Sequence, residues 1–167
     1  MGKLWQATLP PLGKPAPLFT LAEVAGKKCP LARFKGRPLV LCFFCGCNAC
    51  ADVALKWVQL QRGHALPKEA LTLLVYQGSA EEVKALARRS ALDLAQTILL
   101  PDVDRKVTDG LYHADPCPRL LVIDHKGILC YANTGPDDKP QEAPAAIIVA
   151  KALDALTKCA APTMEPK

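Results

Sequence analysis

The sequence predicts an α/β domain: a central mixed β-sheet flanked by helices on both faces, with an N-terminal β extension. Three observations carry this. Short apolar runs of strand length alternate with stretches of helical period along most of the 167 residues. Two of those runs, Leu39–Phe44 and residues 70–77, are rich enough in apolar residues to be buried strands, the first of them apolar throughout. The last two runs are joined by the short turn His125-Lys126-Gly127 and read as a hairpin, so the sheet cannot be wholly parallel.

The elements follow in order. Residues 1–12 carry Pro10 and Pro11 and form an extended arm. Residues 16–21 (APLFTL) are a short strand candidate, and a second short strand is expected around Lys28. Gly36 and Gly46 bound the run that ends in Leu39–Phe44. After it, Val53, Trp57, Val58 and Leu60 fit a helix that stops before Gly63. Residues 70–77 form the next strand. Ser79, followed by Glu81 and Glu82, caps a helix running to about Ser90. Residues 97–100 suit a short strand and 105–112 a short helix. The hairpin occupies 119–124 and 128–132. Pro144 suits the first turn of a last helix, which runs to about Lys158 with Ile148, Ala152, Leu156 and Cys159 on one stripe. The domain thus spans residues 13–159, and residues 160–167 are expected to be a disordered tail.

Composition excludes several classes of function. Half of the residues are hydrophobic, so the chain can build a core. The net charge of +5 is mild and its basic residues are scattered, which argues against nucleic acid as a partner. No apolar stretch reaches the roughly 18 residues of a membrane span. The opening MGKLWQATLPPLG lacks the apolar core of a signal peptide. The chain is therefore expected in the cytoplasm if complete, and in the periplasm or outside the cell if a signal segment has been removed.

Chemistry concentrates in residues 42–50, CFFCGCNAC, which hold four of the eight cysteines. Clustering of this kind points to local chemistry rather than to a framework of staples. Cys47-Asn48-Ala49-Cys50 is a C-x-x-C placed where a buried strand ends and a helix begins. A sulfur at a helix N-terminus faces unpaired backbone N–H groups and the positive end of the helix dipole, which favour a thiolate. Cys47 is then the attacking thiolate. Cys50, one turn further in, is the resolving thiol.

Four segments in order resemble the thioredoxin-like redoxins, the superfamily of the thiol–disulfide reductases and, more distantly, of the peroxiredoxins. Residues 13–21, GKPAPLFTL, look like that superfamily's G-x-x-A-P-x-F-x-L motif. Residues 36–44 followed by C-x-x-C resemble its strand and active-site helix. Residues 112–118, YHADPCP, have the spacing of its segment ending in a cis-proline, and residues 119–128, RLLVIDHKGI, resemble the strand and turn after it, with its I-D-x-x-G-x-I signature. The resemblance implies a thioredoxin-like fold and thiol–disulfide oxidoreductase activity on protein or small-molecule thiols and disulfides, with no cofactor. It also implies that Pro118 is a cis-proline packed beside Cys47, with the backbone of Cys117 receiving the substrate.

This sequence departs from the superfamily pattern in three ways, two of which add sulfur. Cys45-Gly46 stands where an aromatic residue usually precedes C-x-x-C, Asn48-Ala49 where a proline is usual, and Cys117 where Thr, Val or Ile usually precedes the cis-proline. If the fold holds, Cys45, Cys47, Cys50 and Cys117 converge. Four such thiolates would suit zinc, copper(I) or an iron–sulfur cluster, the alternative reading of the site. Cys45 or Cys117 could instead relay a disulfide. A peroxidase needs a Thr or Ser ahead of its cysteine, and residues 36–61 contain neither. Cys42 and Cys130 are expected to be packing residues, and Cys29 and Cys159 have no assigned role.

Overall fold

A computed structural model describes residues 9–114, 117–133 and 145–160. The expectations for the N-terminal arm before residue 9, for Pro144 and for the tail lie outside the described residues. Two short strands, β1 (Thr20–Ala22) and β2 (Lys28–Pro30), pair antiparallel as a small separate sheet. The main sheet contains β3 (Leu39–Phe44), β4 (Leu71–Tyr76), β5 (Thr97–Pro101), β6 (Arg119–Ile123) and β7 (Leu129–Ala132), in the order β5-β4-β3-β6-β7. β3, β4 and β5 run parallel, and β6 and β7 are antiparallel to their neighbours. The helices are α1 (Asn48–Arg62), α2 (Ala80–Ser90) and α3 (Ala145–Ala160).

The sheet is flanked on both faces, but unequally. Side chains of β3 alternate: Val40, Cys42 and Phe44 enter one core, and Leu39, Leu41 and Phe43 the other. The first core is closed by Val53 and Trp57 of α1, Val83 and Leu86 of α2, and Ile148, Ala152 and Leu156 of α3. The connections β3-α1-β4 and β4-α2-β5 both step in one direction across the sheet. Two right-handed crossovers in one direction put both helices on one face. The opposite face is covered by the N-terminal segment, a tight helical turn at Leu31–Phe34, and the region from Val107 to Ala114.

Local chemistry sets most boundaries. Ser79 caps α2 by accepting the Glu82 N–H at 3.1 Å, and the Glu82 carboxylate accepts the Ser79 N–H at 2.8 Å. Two expectations need correction. The strand expected at 16–21 begins only at Thr20, because residues 13–16 bond elsewhere. The Ala16 N–H donates to Gly127 O at 2.9 Å and the Gly13 N–H to Leu129 O at 2.7 Å, so this stretch borders the β6–β7 turn. Pro17 then has no N–H with which to continue pairing.

The helix expected at 105–112 is a single wide turn at Lys106–Leu111, entered through Arg105 in the left-handed region at φ 61°. Buried Asp102 holds this turn. Its carboxylate accepts the Thr108 N–H and hydroxyl, both at 2.7 Å, and the Val107 N–H at 3.4 Å. Asp102→Ala leaves the two Thr108 donors buried without a partner. It is expected to cost about 2–4 kcal/mol in urea unfolding, and a loss under about 0.5 kcal/mol would show that the turn does not depend on it.

Candidate functional site: four converging thiols

The site forms at the C-terminal end of β3, between the start of α1 and the start of β6. Backbone register brings its parts together. β3 and β6 pair antiparallel, with Leu41 opposite Leu121 and Phe43 opposite Arg119. Two residues beyond that last pair, the same register sets Cys45 opposite Cys117. Their sulfurs are 2.7 Å apart. The chain then turns at Gly46 and enters α1, whose N-cap is Cys47. The Cys47 sulfur accepts the Cys50 N–H at 3.4 Å, and the Cys45 N–H donates to the Cys50 sulfur at 3.2 Å.

The four sulfurs of Cys45, Cys47, Cys50 and Cys117 all lie within 4.8 Å of one another. Cys45 and Cys50 are 3.9 Å apart, and Cys47 and Cys117 are 3.8 Å apart. Cys50 and Cys117 are buried, whereas Cys45 and Cys47 are partly exposed. The arrangement gives Cys47 access to solvent and keeps Cys50 beneath it. The Cys117–Pro118 peptide bond is cis.

The protons of this group are shared unevenly. Hydrogen bonding from the Cys50 thiol pulls Cys117 down to about 6 against the opposing effect of burial, with Cys45 and Cys47 adding smaller contributions. Burial, then the hydrogen bond to Cys117, pushes Cys45 up to about 12. Cys50 is pushed up as well, first by its interaction with Cys117 and then by burial. Among Cys45, Cys50 and Cys117, negative charge is therefore held most easily on Cys117. Tyr76, at the end of β4, borders the group. Burial raises its hydroxyl pKa first, with Glu82, Cys45 and Cys50 adding to the effect. Gly46 leaves room for it, since a Cβ there would stand 3.3 Å from the Tyr76 hydroxyl.

Asn133, which sequence reading did not single out, fastens the segment that carries Cys117. It is fully buried; its amide donates to Pro118 O at 3.1 Å and its carbonyl accepts the Leu120 N–H at 2.9 Å. Arg119 adds a hydrogen bond to the Asn133 backbone carbonyl. Nothing in an isolated Asn at the end of a strand marks this role before the β6–β7 pairing is known.

The other cysteines lie apart. Cys42 is buried in β3, and burial raises its pKa. Cys29 is buried in the opposite core, where burial also raises its pKa while Arg33 opposes that shift. Cys130 is not the plain packing residue expected: it forms a disulfide with Cys159, joining β7 to α3. Sequence reading missed the pair because the partners are 29 residues apart and meet only once α3 lies against β7.

Sheet order and the placement of the cysteines at the strand-to-helix junction put the chain among the thioredoxin-like redoxins. Within that class it belongs to the AhpC/TSA family, whose model matches residues 12–132. It is 28% identical over 120 residues to the thioredoxin-like protein YneN of Bacillus subtilis, covering 70% of this chain and 68% of that one. An uncharacterized conserved protein from Geobacillus kaustophilus has a similar fold, with a TM-score of 0.69 at 23% identity over 93% of this chain and 87% of that one. A secreted Mycobacterium tuberculosis disulfide oxidoreductase homologous to Escherichia coli DsbE aligns with a TM-score of 0.63 at 17% identity, over 80% and 93% of the two chains.

Proposed function

We propose that this chain is a thiol–disulfide oxidoreductase in which Cys47 attacks and Cys50 resolves. The observation that carries the reading is the pair itself: a partly exposed sulfur at the N-cap of α1, with a buried sulfur one turn behind it. The Cys47 thiolate attacks one sulfur of a substrate disulfide. That bond breaks, half of the substrate leaves as a thiol, and the other half stays bonded to Cys47. Cys50 then attacks the Cys47 sulfur and gives its proton to the departing half. The substrate is reduced by two electrons, and Cys47–Cys50 becomes a disulfide.

Cys117 stands beside Cys47, with their sulfurs 3.8 Å apart, which supports a role for this segment in substrate binding. Protein or small-molecule disulfides are the proposed partners, in keeping with the Mycobacterium tuberculosis relative, a disulfide oxidoreductase. No helix among the described residues is long and apolar enough to cross a membrane.

A Cys50→Ser chain tests the assignment. It should trap a substrate as a stable mixed disulfide on Cys47, seen as a mass increase that dithiothreitol removes and located by peptide mapping. Trapping on a different cysteine, or no adduct at all, would overturn the assignment of roles.

A further inference from the structure

We propose that in the reduced protein the four sulfurs of Cys45, Cys47, Cys50 and Cys117 bind one tetrahedral soft cation, with zinc as its natural occupant. Three independent features point to it.

The first is size. Zinc–thiolate bonds of about 2.3 Å place the sulfurs of a tetrahedral site roughly 3.8 Å apart. The Cys45–Cys50 and Cys47–Cys117 separations are 3.9 and 3.8 Å, and no pair exceeds 4.8 Å. Cys45 and Cys117, at 2.7 Å, must part by about an ångström. An iron–sulfur cluster puts its own irons and sulfides between the protein thiolates and needs a wider cage than this.

The second feature is the donor set. The candidate metal-binding group here consists of four sulfurs, with no carboxylate or imidazole among its members. An all-thiolate tetrahedron selects zinc over the hard cations calcium and magnesium.

The third is support from the backbone. The Cys45 N–H already points at the Cys50 sulfur and the Cys50 N–H at the Cys47 sulfur. Such outer hydrogen bonds orient thiolate ligands and spread their charge. The N-terminus of the 15-residue α1 adds its positive end on the same side. Partly exposed Cys45 and Cys47 leave the ion a path from solvent, while buried Cys50 and Cys117 close the inner side.

The ion occupies the sulfurs that exchange needs, so the zinc form resists alkylation at all four cysteines until it is chelated. The test uses the full chain, reduced and handled without oxygen, and titrated with cobalt(II) as a visible probe. The expected result is a tetrahedral cobalt spectrum with thiolate-to-metal charge transfer, saturating at one ion per chain and lost on adding zinc. Cys117→Ser should weaken binding more than about tenfold. Cys45→Ser should do the same, and serves if the first variant does not fold. Absence of the tetrahedral spectrum, or saturation unchanged in both folded variants, would overturn the site. Insulin reduction by the metal-free chain reads exchange separately, so a failed ion site and a failed exchange reaction give different results.

Discussion

A Cys47→Ser chain should lose disulfide exchange by at least about a thousandfold while remaining folded. A serine hydroxyl cannot form a mixed disulfide, so the first step has no nucleophile. Cys117 cannot simply take its place. Although hydrogen bonding from Cys50 favours its thiolate, it is only 7% exposed, whereas Cys47 is partly exposed. Folding should not suffer, because Cys47 is the N-cap of α1 and serine is among the preferred residues at that position. A thermal melt that matches or exceeds wild type would therefore assign the lost rate to chemistry. The rate is read from reduction of insulin disulfides by dithiothreitol with and without the chain. A variant that keeps a tenth or more of the activity would show that another sulfur leads.

The largest effect on stability is expected at Trp57. It is 1% exposed, faces β4 from α1, and donates its indole N–H to the Thr72 hydroxyl at 2.9 Å. Trp57→Ala removes the largest side chain of the helix-side core and leaves that hydroxyl buried without its partner. The cavity costs about 3–5 kcal/mol, and the orphaned hydroxyl about 1 kcal/mol more. Against a total of roughly 5–15 kcal/mol for an ordinary domain, this is a large share. The urea midpoint should fall by about 2 M with the slope unchanged. A fall corresponding to less than about 1 kcal/mol would mean that the core refills the space. The function of Trp57 is then mechanical: it seats α1 on the sheet, and α1 carries Cys47 and Cys50 at its first turn.

Those features were legible in the sequence where the signal is local. Ser79 and Glu82 stand three apart ahead of an apolar stripe, and they make the capping box that this spacing predicts. The run Leu39–Phe44 is buried along its whole length, as an apolar run between glycines suggests. Cys47 and Cys50 fall at the strand-to-helix junction because the period changes there. Convergence of Cys45 and Cys117 was expected only through the resemblance. Its physical cause is the antiparallel register of β3 and β6, a long-range pairing that no local pattern contains. Placement of α1 and α2 on one face has a similar origin, because it depends on the order of strands in the sheet. At Lys106–Leu111 a helical pattern of residues was present, but buried Asp102 gathers the donors of Val107 and Thr108 and winds the segment into one wide turn. Cys130 and Cys159 each read as an ordinary apolar position, and only docking of α3 on β7 makes them a pair.

That bridge gives the chain a closed loop. Residues 130–159 form a covalent ring, sealed by sulfur at one end and by β7 and α3 on either side. A peptide bond cut anywhere within the ring leaves the molecule in one piece, with the last helix still tethered to the edge of the sheet. The two fragments separate on a gel only after reduction, so reductant decides whether such a break is visible.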